Sequence, residues 1–293
     1  MWYAITLIAP ILWGTSYVFM ESGLDNDLPL WNAFFRALPA GVLMLMIRPI
    51  RLEWHTLRYS AAMGALNIGV FFVCMFVATY RLPGSLVATL GATLPIQVML
   101  IRWVLFHERP QLWQVLAGGL GLYGVYILLS GATTSLDALG IVIAFVGIFS
   151  MALATVLMQH HGMTGNVVGF MGSQLIAGAL CILPFAYVIE GTLPKYQTTE
   201  VMTLAWLSIV NTAIGYLFWL YGIRKIGVFN AALLTLVNPV VAVMLGVLYM
   251  QDAISAVQYL AIALILFSVA LPNVFARIKS MAQRRSARAS AEA

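Results

Sequence analysis

The chain has 293 residues, of which 62% are apolar and 9% are charged, and its formal net charge is +5. Soluble domains carry about 45–50% apolar and about 25% charged residues, so this composition excludes a water-soluble globular protein. We expect a protein solvated by lipid and built from helices, because backbone groups in hydrocarbon must find partners within their own segment.

Ten apolar runs follow one another along the chain. About 20 apolar residues cross the hydrocarbon core as one helix. The runs cover residues 2–20, 30–47, 57–79, 84–106, 111–130, 137–158, 167–189, 201–221, 228–250 and 254–275. The first run lacks a preceding basic segment and is too long for the apolar part of a cleaved signal peptide. The predicted fold class is an all-α membrane protein with ten transmembrane helices.

Basic residues are concentrated in alternate connections between these runs. Twelve Lys and Arg residues fall on the side that holds both termini, and only Arg81 and Lys195 fall on the other side. Because Lys and Arg accumulate in cytoplasmic loops, both termini are predicted to be cytoplasmic. The predicted location of the protein is the inner (plasma) membrane. The basic tail, residues 277–293, is expected to contact anionic lipid headgroups. Nucleic-acid binding is not indicated.

An internal repeat with an offset of 144 residues links the two halves of the chain. Pro95 and Pro239 lie within apolar runs, and twelve residues separate each from a carboxylate, Glu108 and Asp252. Each half contains five runs, an odd number, so the halves are predicted to be inverted repeats, residues 1–131 and 132–276. Such repeats place a binding site near the bilayer midplane and support alternating access.

A motif in the first run, Leu12-Trp13-Gly14-Thr15-Ser16, resembles the opening of the EamA-like branch of the drug/metabolite transporter superfamily. Arg36, the Pro95 run and the glycine-rich fifth run strengthen the resemblance, which covers both halves. The resemblance implies ten helices and export of small metabolites, with amino acids as the leading substrates. The second half departs from the motif, since Ser150-Met151 stands where its Trp-Gly pair is expected.

Arg36 is the only charged residue well inside a predicted run. A buried Arg costs a few kcal/mol in the bilayer and usually faces the bundle interior or a water-filled cavity. One hypothesis makes it the anchor for a substrate carboxylate, or part of an outer gate with Glu21. The other makes it a snorkelling side chain that holds the first two helices together.

Polar side chains within the runs and one aromatic pair are further candidates for substrate binding. Polar groups in lipid face inward, where they bind a solute or form hydrogen bonds between helices. Trp13 and Tyr17 lie four residues apart on one helix face, where they line a cavity or only pack. The predicted substrate-binding residues are Trp13, Ser16, Tyr17, Arg36, Asn67, Thr93, Gln97, Gln174, Asn211 and Asn238.

Two prolines, Pro95 and Pro239, are the predicted gating or hinge positions. A proline inside a helix removes one backbone donor, frees a carbonyl and kinks the helix. The kinks either flex during gating or are fixed features of packing.

Motifs for catalysis, metal binding or cofactor binding are not found in the sequence. An enzyme would need an activated nucleophile or a ligand cluster, so we expect neither an enzyme nor a cofactor nor a metal. Deep Asp or Glu residues are also lacking, so facilitated efflux or exchange fits better than a carboxylate proton relay. The expected partners are a small-molecule substrate and the bilayer. A multidrug or other metabolite exporter and a non-transporting receptor stay open as alternatives.

Overall fold

A computed structural model describes residues 1–24, 27–50, 53–129, 137–163, 165–250, 256–272 and 275, with the backbone alone at residues 21, 85, 89, 129 and 246–250. Across these ranges the chain forms helices joined by short connections, without a β-strand. The predicted boundary between the two repeats and the tail 277–293 lie outside the described residues, as does the Glu21 side chain.

The helices follow the predicted runs closely. In chain order they are α1 (Trp2–Gly23), α2 (Pro29–Ile47), α3 (Trp54–Arg81), α4 (Gly84–Gly91), α5 (Leu94–Phe106), α6 (Leu112–Leu129), α7 (Ala138–His161), α8 (Val167–Glu190), α9 (Thr198–Ile226), α10 (Val228–Leu234), α11 (Val237–Met250) and α12 (Ala256–Pro272).

Seven stretches of the described chain are long and apolar enough to cross a membrane. They are α1, α2, α3, α7, α8, α9 and the stretch Val228–Leu245, while α5, α6 and α12 contribute shorter apolar helices. A polypeptide with this many spanning helices is a multi-pass membrane protein. The predicted count of ten crossings stays a prediction.

The predicted runs 84–106 and 228–250 differ from the structure, because each is divided into two helices. α5 begins at Leu94, one residue before Pro95, and α11 begins at Val237, two residues before Pro239. Hydrogen bonds between residues three apart bridge the breaks, from Thr93 N to Leu90 O and from Thr235 N to Ala232 O, each 3.0 Å. Both breaks have one cause, because proline lacks an N–H and its ring clashes with the preceding turn.

Three helices contain a segment of wider π-helix: Ala65–Val70 in α3, Ala186–Glu190 in α8 and Trp206–Ile214 in α9. Asn67 and Asn211 lie within the first and third of these segments and are 144 residues apart. The starts of α3 and α9 have the same offset. Short π-segments are rare and often occur at functional sites.

Side-chain caps define the starts of several helices. Asp137 Oδ1 accepts hydrogen bonds from the N–H groups of Leu139 and Gly140, at 3.0 and 3.3 Å, where α7 begins. Asn166 Oδ1 accepts one from Gly169 at 2.7 Å at the start of α8. These caps satisfy donors that the first helical turn leaves unpaired.

Contacts between connections divide the molecule into two ends. At one end Arg81 pairs with Asp137 at 2.6 Å, and the Glu190 carboxylate accepts hydrogen bonds from the N–H groups of Leu30 and Trp31. At the other end the Lys225 amine lies 5.2 Å from the ring of Trp2. The structure thus joins connections that the sequence predicted to share a side.

Candidate functional site

A small cavity lies where the two broken helices meet α1, α2, α3, α7 and α9. Its volume is about 60 Å³, room for a few water molecules. Small-molecule sites usually hold about 300–1,000 Å³, so the cavity in this structure is smaller than such a site. The lining residues are Trp13, Ser16, Tyr17, Arg36, Phe71, Met75, Gly91, Leu94, Ile148, Met151, Tyr216, Thr235 and Asn238.

Residues at both helix breaks line this cavity. Gly91 and Leu94 contribute from the first break, and Thr235 and Asn238 contribute from the second. Gly91 and Thr235 are 144 residues apart, and so are Leu94 and Asn238. Gly91 and Thr235 also lie four residues before a proline, which supplies no N–H to their carbonyls. The repeat offset read from the sequence therefore pairs wall residues of one cavity.

Arg36 lies in the cavity wall and is 6% exposed. Its Nε donates to Thr212 Oγ1 at 3.2 Å and its Nη2 donates to Ser16 Oγ at 3.4 Å. The guanidinium carbon lies 4.6 Å from the centre of the Phe72 ring, a cation–π contact. Among the described residues no carboxylate lies within 4 Å of it. The structure thus presents a buried cation held only by neutral groups.

Asn211 lies beside this cluster, in the π-segment of α9, and is fully buried. Its Nδ2 donates to Ser16 Oγ at 2.6 Å, to Leu12 O at 2.9 Å and to Thr15 Oγ1 at 3.1 Å. Its backbone carbonyl accepts a hydrogen bond of 2.8 Å from Trp13 Nε1. Asn211 therefore contacts most of the 12–16 motif, but it lies behind Ser16 and does not line the cavity.

The next residue, Thr212, explains how the π-segment serves the site. Thr212 Oγ1 donates to the carbonyl of Leu207, five residues earlier, at 2.8 Å, while it accepts from Arg36. This spacing of five residues is the one that the hydrogen bonds of a π-helix have. As a result, neighbouring residues of α9 bind Ser16 and Arg36.

Glycines allow α1 to approach the second half closely. A Cβ atom at Gly14 would lie 2.6 Å from Val241 Cβ, and one at Gly215 would lie 2.7 Å from Trp13 Nε1. Both distances are shorter than real side chains adopt, so the packing requires glycine at these positions. The motif residue Gly14 is therefore explained by packing.

Aromatic rings pack together beside the cavity. The Trp13 ring lies 5.2 Å from Tyr216 and 5.3 Å from Trp219, and Tyr216 lies 6.3 Å from Phe72, between ring centres. Tyr17 is 6% exposed and lines the cavity. The predicted aromatic pair therefore faces the cavity, and it also packs.

Two cavity-lining residues keep unused hydrogen-bonding atoms. Tyr216 Oη and Asn238 Oδ1 are buried without a hydrogen-bond partner among the described residues. Leaving such atoms unpaired is costly in a low-dielectric interior. The residues of the wall thus include a cation, a phenol and an amide, and the phenolic hydroxyl and the amide oxygen are both unpaired among the described residues.

Asn67 and Gln174 were predicted to bind substrate, but neither lines the cavity. They are fully buried, and Asn67 Nδ2 donates to Gln174 Oε1 at 3.4 Å, between α3 and α8. Asn67 is the counterpart of Asn211 at the repeat offset. Gln174 lies seven residues after the start of α8, as Arg36 does in α2. Counted from the helix start, α8 thus carries a neutral amide where α2 carries a cation.

Thr93 and Gln97 also lie away from the cavity, although they flank the first break. Gln97 Nε2 donates to Thr93 Oγ1 at 2.9 Å, and Thr93 Oγ1 donates to Leu90 O at 2.6 Å. These bonds pair the Thr93 hydroxyl and the Gln97 amide nitrogen next to Pro95, whereas Gln97 Oε1 is buried without a partner among the described residues. Pro95 and Pro239 do not line the cavity themselves, but they lie at the two helix breaks whose residues do.

Several wall residues were not singled out from the sequence. Gly91, Met75 and Met151 are ordinary residues in apolar runs, and only the 144-residue offset points to Gly91, as the partner of Thr235. Thr212 contacts Arg36 but does not line the cavity, and in the sequence only its place directly after Asn211 points to it. The described residues contain no group of three His, Cys, Asp or Glu side chains that is able to hold a metal ion.

Comparisons with known proteins identify the family. The model of the EamA-like transporter family matches residues 1–130 and 138–274. Protein PecM of Dickeya dadantii (strain 3937) is 33% identical over 262 residues, which cover 88% of this chain and 87% of that protein. The uncharacterized inner membrane transporter YedA of Escherichia coli (strain K12) is 26% identical and covers 89% of this chain and 87% of its own length.

Similarity extends to a solved structure. One crystal structure superposes with a TM-score of 0.75 at 19% identity, and covers 94% of this chain and 97% of its own. At this identity the likeness shows the fold alone.

Proposed function

This chain belongs to the EamA-like transporter family, and on that premise we propose that it exports small metabolites, with amino acids as the leading substrates. The solute passes through the central cavity by alternating access. One observation carries the proposal: Arg36 is a buried cation in the cavity wall and has no carboxylate partner among the described residues.

A substrate carboxylate is the natural counter-ion for Arg36. Its planar guanidinium matches a carboxylate in a two-pronged geometry that a lysine cannot reproduce. Ser16 Oγ accepts hydrogen bonds from Arg36 and from Asn211. Since a hydroxyl has two acceptor positions and one proton, Ser16 keeps its proton to donate to the same carboxylate.

Other residues of the cavity wall suit the ammonium group of a substrate, although none of them is a carboxylate. Asn238 Oδ1 is an unpaired acceptor, and the carbonyl of Gly91 receives no N–H from Pro95. The faces of Trp13, Tyr17 and Tyr216 add cation–π attraction. An α-amino acid carries both charges within a few ångströms of each other, so it fits this arrangement.

For the architecture we propose ten transmembrane helices arranged as two inverted five-helix repeats. Equivalent positions in the walls at Gly91 and Thr235 support it, as do the π-segments at Asn67 and Asn211. The family model matches two stretches that divide the chain near the predicted boundary. Rocking one repeat against the other would expose a midplane site to each side in turn.

We place the protein in the inner membrane with both termini in the cytoplasm. The location in the inner membrane is supported by the name of the relative YedA, an inner membrane transporter. The cytoplasmic position of both termini is supported by the distribution of Lys and Arg. Asp137, Glu190 and Lys195 would then lie at the external end. A reporter fused after Ala293 is expected to read as cytoplasmic.

Counterflow in proteoliposomes tests this function. Proteoliposomes that contain the protein are loaded with unlabelled solute, and entry of the same labelled solute is measured. A panel of amino acids and a panel of amphipathic drugs are tested in separate assays. We expect flux of at least one amino acid, and at least a tenfold loss in the Arg36→Lys variant because the planar fork is lost. Arg58→Lys makes the same change at an exposed arginine outside the cavity and is expected to keep the flux. Full transport by Arg36→Lys would exclude the two-pronged anchor.

A multidrug exporter is the second candidate, and the methionines favour it. Met75 and Met151 line the cavity beside four aromatic rings. Met side chains adapt their shape and recur at promiscuous binding surfaces. Flux of uncharged amphipathic drugs, unaffected by Arg36→Lys, would favour this candidate over the amino acid exporter.

A further inference from the structure

A second concave site lies between α3 and α8, on the face of α3 opposite the central cavity. Its volume is about 340 Å³, more than five times that of the cavity, and apolar side chains dominate its walls. Gly69, Val73 and Cys74 contribute from α3, and Cys181, Phe185 and Ile189 contribute from α8. Phe185 is 61% and Ile189 is 70% exposed, so the groove opens to the outside of the helix bundle.

The groove forms because the two helices touch along one half and separate along the other. A Cβ atom at Gly64 would lie 2.4 Å from Gln174 O, and one at Gly178 would lie 2.6 Å from Ile68 Cβ. A Cβ atom at Gly69 would make only ordinary contacts, the nearest at 3.6 Å. Beyond this point the helices diverge, and each has a π-segment next to the groove.

The length of the groove matches one leaflet of a bilayer. Its α3 wall runs from Ala65 to Cys74, nine steps, which span at most about 14 Å at the α-helical rise of 1.5 Å per residue. Half of the hydrocarbon core is about 15 Å thick. The groove starts near the middle of α3 and reaches Leu30, at the end of the molecule that also holds Arg81 and Glu190.

We propose that this groove binds one acyl chain of a phospholipid from the leaflet at the Arg81 end. The chain is a membrane protein, so lipid tails surround its outward-facing apolar surfaces. Ordered water is unfavourable in a site whose walls offer almost no polar partner. A flat apolar surface contacts a tail from one side, whereas this groove contacts it on its floor and both walls, which increases the dispersion attraction.

Photo-cross-linking tests the site. The full chain is reconstituted in nanodiscs that contain phosphatidylethanolamine with a diazirine on one acyl chain, and the adducts are mapped by peptide mass spectrometry. We expect adduct yields in residues 65–74 and 181–189 to exceed those of equally exposed positions, such as Val142 on α7, at least fivefold. Labelling in simple proportion to exposure would overturn the proposal.

Two ways of filling the groove sharpen the test. Cys181→Trp is expected to reduce the groove adducts at least fivefold, whereas Val142→Trp, at another exposed position, is expected to leave them unchanged. Alkylation of Cys181 with a bulky maleimide should reduce the groove adducts as Cys181→Trp does. Because the protein is already folded when it is alkylated, a folding defect cannot cause this loss. Unchanged adducts after alkylation, or peptide cross-links between two copies of the chain through these residues, would exclude an acyl chain as the occupant.

Discussion

Asn211 Nδ2 donates to Ser16 Oγ over 2.6 Å, and the same oxygen accepts from the Arg36 guanidinium at 3.4 Å. Ser16 therefore joins a buried amide to a buried cation, and its own proton remains available to the cavity. Asn211 was predicted to bind substrate. We now propose that it acts through Ser16, as a positioning residue.

Asn211→Leu tests this positioning role. The substitution removes the contacts of the amide N–H groups with Leu12, Thr15 and Ser16 but keeps a side chain of similar size, so Ser16 loses its orientation. Hydrogen bonds between membrane helices contribute about 0.6–2 kcal/mol each, so we expect KM for a transported amino acid to rise roughly three- to thirtyfold. Initial rates of uptake into proteoliposomes measure it.

Asn67→Leu is the matched control, since Asn67 occupies the equivalent π-segment but makes one weak contact, with Gln174. We expect its KM to change less than threefold. Equal KM changes in both variants, with equal losses of thermal stability, would instead indicate that Asn211 serves only to hold helices together.

Arg36→Gln would give the first half the residue type that its counterpart, Gln174, has in the second half. Hydrogen bonds to charged groups contribute about 1.5–3 kcal/mol, so affinity for a carboxylate substrate should fall about 10- to 100-fold. The affinity for amphipathic solutes without a carboxylate should fall less than threefold. Counterflow with an amino acid and its amide derivative compares the two classes, and parallel losses for both would contradict a role in carboxylate binding.

Pro95→Ala and Pro239→Ala restore a backbone donor at each helix break. A continuous helix resists bending, so we expect maximal transport rates to fall several-fold while KM changes less than twofold. Pro184→Ala is the control, because Pro184 lies inside α8 at an exposed position away from the cavity. If the rates of all three variants match the parent protein, the breaks are fixed features of packing.

Asp137 links acid stability to a contact outside the membrane. The hydrogen bond from Arg81, together with the N–H groups of Gly140 and Leu139, holds the pKa of the Asp137 carboxyl below its usual range. A lowered folded-state pKa stabilises the protein above the unfolded pKa of about 4, and the contribution is lost as pH falls through the folded value. The melting temperature of the parent protein in detergent should therefore decrease as pH falls from 5 to 3.

Asp137→Asn keeps a capping oxygen but removes the titration, so its melting temperature should depend less on pH in this range. Glu53→Gln, at an exposed position before α3, should retain the pH dependence of the parent protein. Identical profiles for the parent protein and Asp137→Asn would rule out this contribution.

The polar residues that the sequence analysis singled out within apolar runs fall into two groups in the structure. Arg36 and Ser16 are polar groups in apolar runs, and the structure places both in the cavity wall. Asn67 and Gln174 satisfied the same criterion but are paired with each other between α3 and α8. Polarity within a run indicates that a side chain faces protein, and it does not distinguish a helix contact from a cavity.

The amino-acid sequence by itself determined the membrane environment and the helices, because these follow from composition, and it indicated kinks at Pro95 and Pro239 from their missing N–H. It also revealed the 144-residue offset that relates Gly91 to Thr235. Only the tertiary structure decided which polar groups share a space. That choice depends on the π-segment that turns Thr212 towards Arg36 and on the close packing at Gly14 and Gly215, which no local pattern specifies.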